Sequence, residues 1–294
     1  MVKREESRKR ICFPARALFL TGAVILYALG GSGLSWGCAW LYDACMETWG
    51  VTQGNVHLAP WWILTIVYGY PAIAALVQLI WVIALCGAGR RLAKMPSAGA
   101  AGIKKTGYGL LIGALIAVLW AGCLLLTDDL RMGRPLSMPY ISGGLWGVLM
   151  GIILEAVGRE WFFRGFLYRA IRRQGLAVAV CALVCGAIHG ISGQGGWIYW
   201  TNVCLLSAIL CRLCAKSGSI WPGIGLRVTL FVLLECVMGV SGSVYGLYEI
   251  YFVSRSWLSG GNAGPMAGLW MTALLMMLAA GMEWKGRQSL PDCR

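Results

Sequence analysis

Charge is what this chain has least of. Only 13% of its 294 residues are Asp, Glu, Lys or Arg, about half the share found in soluble domains. The remainder is apolar: 59% hydrophobic residues and a mean hydropathy of +0.70. This balance excludes an ordinary soluble enzyme, a disordered chain and a disulfide-stapled secreted scaffold. Acidic residues are scarcer than basic ones, 12 against 25, so the formal net charge is +13. Histidine occurs twice, at His57 and His189. A chain both apolar and basic is either a membrane protein with basic loops or a nucleic-acid binder, and the placement of the charges decides between them.

A spanning helix needs about 20 mostly apolar residues. Eight segments qualify: Ala17–Leu41, Trp61–Gly87, Tyr108–Leu126, Ile141–Arg159, Leu176–His189, Trp197–Ala215, Ile220–Val240 and Gly264–Trp284. The fifth is short for a span, and the fourth reads on as helix to about Arg173. The first is too long for a signal-peptide core and lacks a cleavage site before the next span. No long polar stretch separates the segments, so residues 1–294 read as a single membrane domain.

The basic residues fall on one side of such a bundle. They include Lys3 to Arg16, Arg90, Arg91, Lys94, Lys104 and Lys105, the group Arg169, Arg172 and Arg173, then Arg212, Lys216 and the tail. The opposite loops hold only Arg131, Arg134 and Arg255. The positive-inside rule places both termini in the cytoplasm and the protein in the cytoplasmic membrane. Basic groups flanking lipid argue for lipid as a partner and against nucleic acid.

Glycines repeat every four positions at Gly143, Gly147 and Gly151, and again at Gly260, Gly264 and Gly268. Such spacing lets helix backbones approach closely in lipid. Most cysteines lie within apolar segments, where Cys acts as a small hydrophobe. Cys211 and Cys214 form a C-x-x-C near a helix end, without the βαβ context of a redox site.

The informative residues are ionisable groups at spanning depth, which are costly there unless paired. The fourth segment and its continuation carry Glu155, Arg159, Glu160 and Arg164; the seventh carries Arg227 and Glu235; the fifth ends at His189. Glu155 and Arg159 are spaced i,i+4 in the favourable order. Arg227 and Glu235 lie eight apart, on roughly the same face. Two readings stand side by side: a neutral salt-bridge cluster holding helices together, and a catalytic or transport site in a polar cavity. Transport has less support, because neither an inverted repeat nor a broken helix pair is present.

The run Arg159-Glu160-Trp161-Phe162-Phe163-Arg164-Gly165-Phe166-Leu167-Tyr168-Arg169 resembles the first motif, Glu-Glu-x-x-x-Arg, of the CAAX protease and bacteriocin-processing family (CPBP, or ABI) of intramembrane glutamic proteases. Cys185-Gly186-Ala187-Ile188-His189, 25 residues beyond Arg164, is similar to the second motif, Phe-x-x-x-His. Gly218 to Ile224 resembles the lead into the third, His-x-x-x-Asn/Asp. The likeness spans about residues 140–240. It implies an all-α integral membrane protein, a CAAX-protease-like bundle of about eight helices. It also implies an endopeptidase acting on membrane-associated or lipidated peptides.

The motif set is degenerate. Arg159 stands for the first Glu, Cys185 for Phe, Arg227 for the third-motif His and Phe231 for its Asn/Asp. Glu160, Arg164 and His189 remain as the family's polar residues, and the resemblance makes them the catalytic candidates. In the family the first Glu and the histidines activate water, and the Asn serves the oxyanion. Here Arg159 beside Glu160 and Arg164 one turn on favour an ionised, weakly basic carboxylate. A guanidinium cannot be a base near neutral pH. The expectation is weakened or lost hydrolysis. The alternative is an inactive pseudoprotease serving as a binding, maturation or immunity partner. Glu155 could replace the missing base with His189 as partner. Cys181, Cys185 and His189 share one helix face, yet one helix poorly presents three ligands to a tetrahedral ion. No metal or other cofactor is therefore expected.

Overall fold

The computed structural model describes residues 13–51, 60–89, 104–135, 138–191, 196–239, 247–252 and 256–288. His57, Arg90, Arg91, Lys94, Arg255, Arg294 and the basic run from Lys3 to Arg10 lie outside them.

Among the described residues a helix occupies each of the eight expected segments. They are α1 (Phe13–Thr48), α2 (Trp61–Ala88), α3 (Thr106–Leu126), α4 (Met138–Glu160), α5 (Gln174–Ile191), α6 (Trp197–Ser217), α7 (Trp221–Phe231) and α8 (Leu269–Gln288). By length and composition four can cross a membrane: Ala17–Thr48, Trp61–Ala88, Thr106–Leu126 and Trp197–Ser217. Gln174–Gly190 and Leu269–Glu283 are shorter apolar helices. Lipid-type surface is plain on the long helices. Leu111 and Leu126 on α3 leave 71% and 88% of their area exposed. Leu18, Leu29, Trp36, Leu115 and Val118 are likewise exposed, and an extended apolar surface of this kind fits a lipid-facing role.

Boundaries differ from the hydropathy reading; α1 begins at Phe13 and runs on to Thr48, past Leu41. The chain beyond α4 stays helical, as a π-helical stretch at Trp161–Leu167 and a last turn at Tyr168–Ala170. It ends three residues short of Arg173, because Ile171 turns to extended backbone (φ −95°, ψ 121°). The eighth helix starts at Leu269 rather than Gly264, because Gly260 (φ +94°) and Gly264 (φ +83°) adopt left-handed backbone. Gly260, Gly264 and Gly268 thus build a tight turn rather than a helix face. A small antiparallel ribbon, absent from the all-α expectation, pairs β1 (Leu130–Pro135) with β2 (Tyr248–Phe252).

Two close helix pairs frame the bundle. On α3 a side chain at Gly109 or Gly113 would strike the α7 backbone at Pro222 or Leu226; at Gly225 it would strike Thr106. On α4 one at Gly147 would collide with the Tyr68 carbonyl of α2, and Gly151 packs on Pro71. Backbones this close gain dispersion contacts, the main attraction between helices in lipid. Between these pairs lies a core that includes Trp120, Phe162, Phe166, Leu206, Leu210, Leu226 and Leu230.

Candidate active-site cavity

Residues 159 and 160 point in different directions. Successive helix positions are rotated by about 100°, so Glu155 and Arg159 share one face of α4 while Glu160 and Arg164 share another. The wider π turn from Trp161 carries the second face into the core. Two charge clusters result.

The first is fully buried. Glu160 and Arg164 have no solvent exposure. Glu160 Oε1 accepts from Arg164 Nη1 at 3.1 Å and from Arg227 Nε at 3.4 Å. Arg164 Nη2 donates to the Ser207 carbonyl at 2.8 Å and its hydroxyl at 2.9 Å. The Ser207 hydroxyl donates to the Cys181 carbonyl at 3.2 Å. One network thereby ties α4, α5, α6 and α7 together. Gly223 makes room for it, since a Cβ there would lie 2.6 Å from Glu160 Oε2. The second cation on Glu160 is Arg227, in place of the expected Arg159.

The second cluster is open to cavities. Arg159 pairs with Glu155 through Nη2 and bonds His189 Nε2 through Nη1. Tyr199 Oη lies 3.3 Å from His189 Nδ1. A guanidinium can only donate, so Nε2 accepts and Nδ1 carries the proton, donating to Tyr199. The imidazole is thus held at both nitrogens, and Arg159 stands between Glu155 and His189.

Three adjoining cavities meet at Glu155 and Arg159. One of about 190 Å³ is lined by both and by His189, Tyr199, Arg227, Phe231 and Glu235. A second, of about 470 Å³, runs along α1 and α2 past Tyr27, Ser35, Gln78 and Trp81, and reaches Cys185 and His189. The third, about 260 Å³, opens beside Pro71 and Glu235. The structure therefore gathers Arg159, His189, Arg227 and Phe231 at one cavity and Cys185 at the next. Glu160 and Arg164 line none of the three. Cys181 instead turns its thiol toward the Phe163 carbonyl at 3.5 Å. Among the described residues, His, Cys, Asp and Glu side chains form no metal-holding group of three or more.

Sequence reasoning missed Tyr199 and the contribution of α1 and α2. Gln78, an amide in an otherwise apolar helix, was a usable signal; it donates to the Ser35 hydroxyl. Tyr27 stacks on Phe162 with ring centroids 4.0 Å apart, docking α1 on the motif. Such a pairing of distant helices leaves no trace in local spacing.

Among the described residues the fold is a helical bundle with four helices long and apolar enough to cross a membrane. Residues 141–233 match the family model described as Type II CAAX prenyl endopeptidase Rce1-like. The match is confined to that segment, which holds Arg159, Glu160, Arg164, His189, Arg227 and Phe231. No curated protein and no solved structure matches the chain.

Proposed function

We propose that this protein is a binding member of the CAAX protease family, which takes up a membrane-associated or lipidated peptide without hydrolysing it. One observation carries the reading: Arg159 occupies the first-motif Glu position and engages both Glu155 and His189. Hydrolysis requires a base for water and a proton relay. A guanidinium supplies neither, and an imidazole held at both nitrogens has no free lone pair for water. Arg227 and Phe231 replace the remaining relay and amide groups, while the cavities stay large enough for a peptide segment.

The wider setting is part of the same proposal. Residues 1–294 form one membrane domain in the cytoplasmic membrane, with both termini cytoplasmic, lipid around it and no role for nucleic acid. The excess positive charge of the loops supports this orientation.

Purified protein in nanodiscs is incubated with a farnesylated peptide. Saturable binding with the peptide intact in mass spectra is the expected result; absence of binding would sink the proposal. The combined variant R159E/R227H/F231N, which restores the motif residues, tests whether the scaffold holds latent activity. A second reading, hydrolysis with Glu155 as base, has one observation in its favour: Glu155 lines all three cavities. Cleavage abolished by Glu155→Gln would establish it.

A further inference from the structure

The tautomer of His189 decides what Tyr199 can do. Arg159 Nη1 donates to Nε2, so Nδ1 carries the hydrogen and donates to Tyr199 Oη at 3.3 Å. The phenolic oxygen is the acceptor in this pair, and its own hydrogen is left over. Among the described residues no acceptor takes that hydrogen. Tyr199 is half-buried and lines the cavity of about 190 Å³. An enclosed donor without an acceptor is costly. The chain of bonds also strengthens it: the guanidinium polarises the imidazole, and the imidazole polarises the phenol.

The charges around this cavity cancel. Glu155, Glu235, Arg159 and Arg227 all line it. Behind Arg227 the buried Glu160 and Arg164 add one charge of each sign. An ionic guest would leave this set unbalanced in an enclosed site, whereas a neutral guest with a strong dipole would not. Val203, Leu206 and Met266 supply apolar wall.

We propose that the Tyr199 hydroxyl donates to a backbone amide carbonyl of the bound peptide. This rests on the binding reading above and adds the contact by which the small cavity holds the chain. An amide carbonyl is neutral and strongly dipolar, so it satisfies the hydroxyl without disturbing the charge balance. It is also a better acceptor than the ester carbonyl of an acyl lipid, which favours a peptide as the guest. Arg159 gains a role through His189: it fixes the imidazole in the one tautomer that leaves the phenol free to donate. Covalent bonds are neither made nor broken.

The test reads the carbonyl itself. A farnesylated peptide is isotope-labelled at one backbone carbonyl at a time and bound to the full chain in nanodiscs, as the native protein and as Tyr199→Phe. Infrared difference spectra are expected to show one carbonyl band at lower frequency in the native complex than in Tyr199→Phe. By fluorescence anisotropy the variant binds about 3- to 10-fold more weakly, the worth of one neutral hydrogen bond. Replacing that one amide by a neutral alkene isostere costs the native protein the same factor and costs Tyr199→Phe nothing. Weaker binding by Tyr199→Phe without any carbonyl shift would make Tyr199 a packing residue and overturn the proposal. Equal binding and equal spectra would overturn it as well, and both results leave the binding function standing. Absence of binding by the native protein would overturn that function itself. A Tyr199-dependent shift in the labelled ester carbonyls of the nanodisc lipid, with none in the peptide, would assign the hydroxyl to a lipid and refute the proposal. Should Tyr199→Phe fail to fold, the alkene series on the native protein still decides: a loss at one position supports the contact, and equal binding at every position refutes it.

Discussion

Arg159 donates to Nε2 of His189 while pairing on its other side with Glu155. The cation stands between the imidazole and Glu155. With Tyr199 at Nδ1, the ring has one permitted tautomer. Nitrogen-15 NMR of histidine-labelled protein reads this directly. Only His57 and His189 contribute, and His57→Gln isolates the second signal. The Nδ1–H tautomer is expected; an Nε2–H signal would contradict the contact.

The two charge clusters differ in what they do for stability. Arg164→Leu strands Glu160 in the core, where exposure is 0%. Loss of about 3–5 kcal/mol is expected for breaking one partner of such a buried pair. The Arg159 side chain is 25% exposed and that of its partner Glu155 41%. Glu155 lines the cavities and is less enclosed than Glu160, so Arg159→Leu is expected to lower stability by less than Arg164→Leu. Thermal melting of both variants in one detergent measures the contrast. Equal losses would show that the clusters are not separate.

Much of this division was legible in the sequence. Spacing i,i+4 pairs Glu155 with Arg159 and Glu160 with Arg164, and adjacent residues on a helix cannot share a face. The same rule places Glu160 and Arg159 on different faces, against the expectation that Arg159 would act on Glu160. Hydropathy located a helix in each of the eight segments, although among the described residues only four are long and apolar enough to cross a membrane. The missing parts depend on distant packing. Nothing near Tyr199 in the sequence marks it as the partner of His189. The docking of Tyr27 on Phe162 joins residues more than a hundred positions apart. The ribbon between β1 and β2 escaped notice because its strands are short and far apart in the chain. The left-handed backbone at Gly260 and Gly264 broke a helix that hydropathy alone would extend.

Close packing of α3 on α7 depends on hydrogen at the Cα of Gly109 and Gly225. A methyl group at either position meets backbone of the facing helix, which has no rotamer to shift. Gly109→Ala and Gly225→Ala should each cost about 1–3 kcal/mol, as overpacked sites do. Gly22→Ala is the control, because nothing lies within 4 Å of its Cβ position. Melting curves showing no difference between Gly109→Ala and Gly22→Ala would argue against the tight α3–α7 contact.

Ser207 joins the buried network to α5 and α6. Ser207→Ala removes the hydroxyl that accepts from Arg164 and donates to the Cys181 carbonyl. The Ser207 carbonyl remains as an acceptor, so a loss of about 1–2 kcal/mol is expected. Chemical denaturation in mixed micelles measures it. A loss near that of Arg164→Leu would mean the hydroxyl, rather than the carboxylate, holds Arg164.

In the binding role proposed above, Arg159 takes the place of the hydrolytic base. Mass spectrometry of a farnesylated peptide, after prolonged incubation with the purified protein and with its Glu155→Gln variant, tests it most directly. The account predicts bound but intact peptide in both samples. Cleavage by the native protein that disappears in Glu155→Gln would contradict it and return the cavity to catalysis.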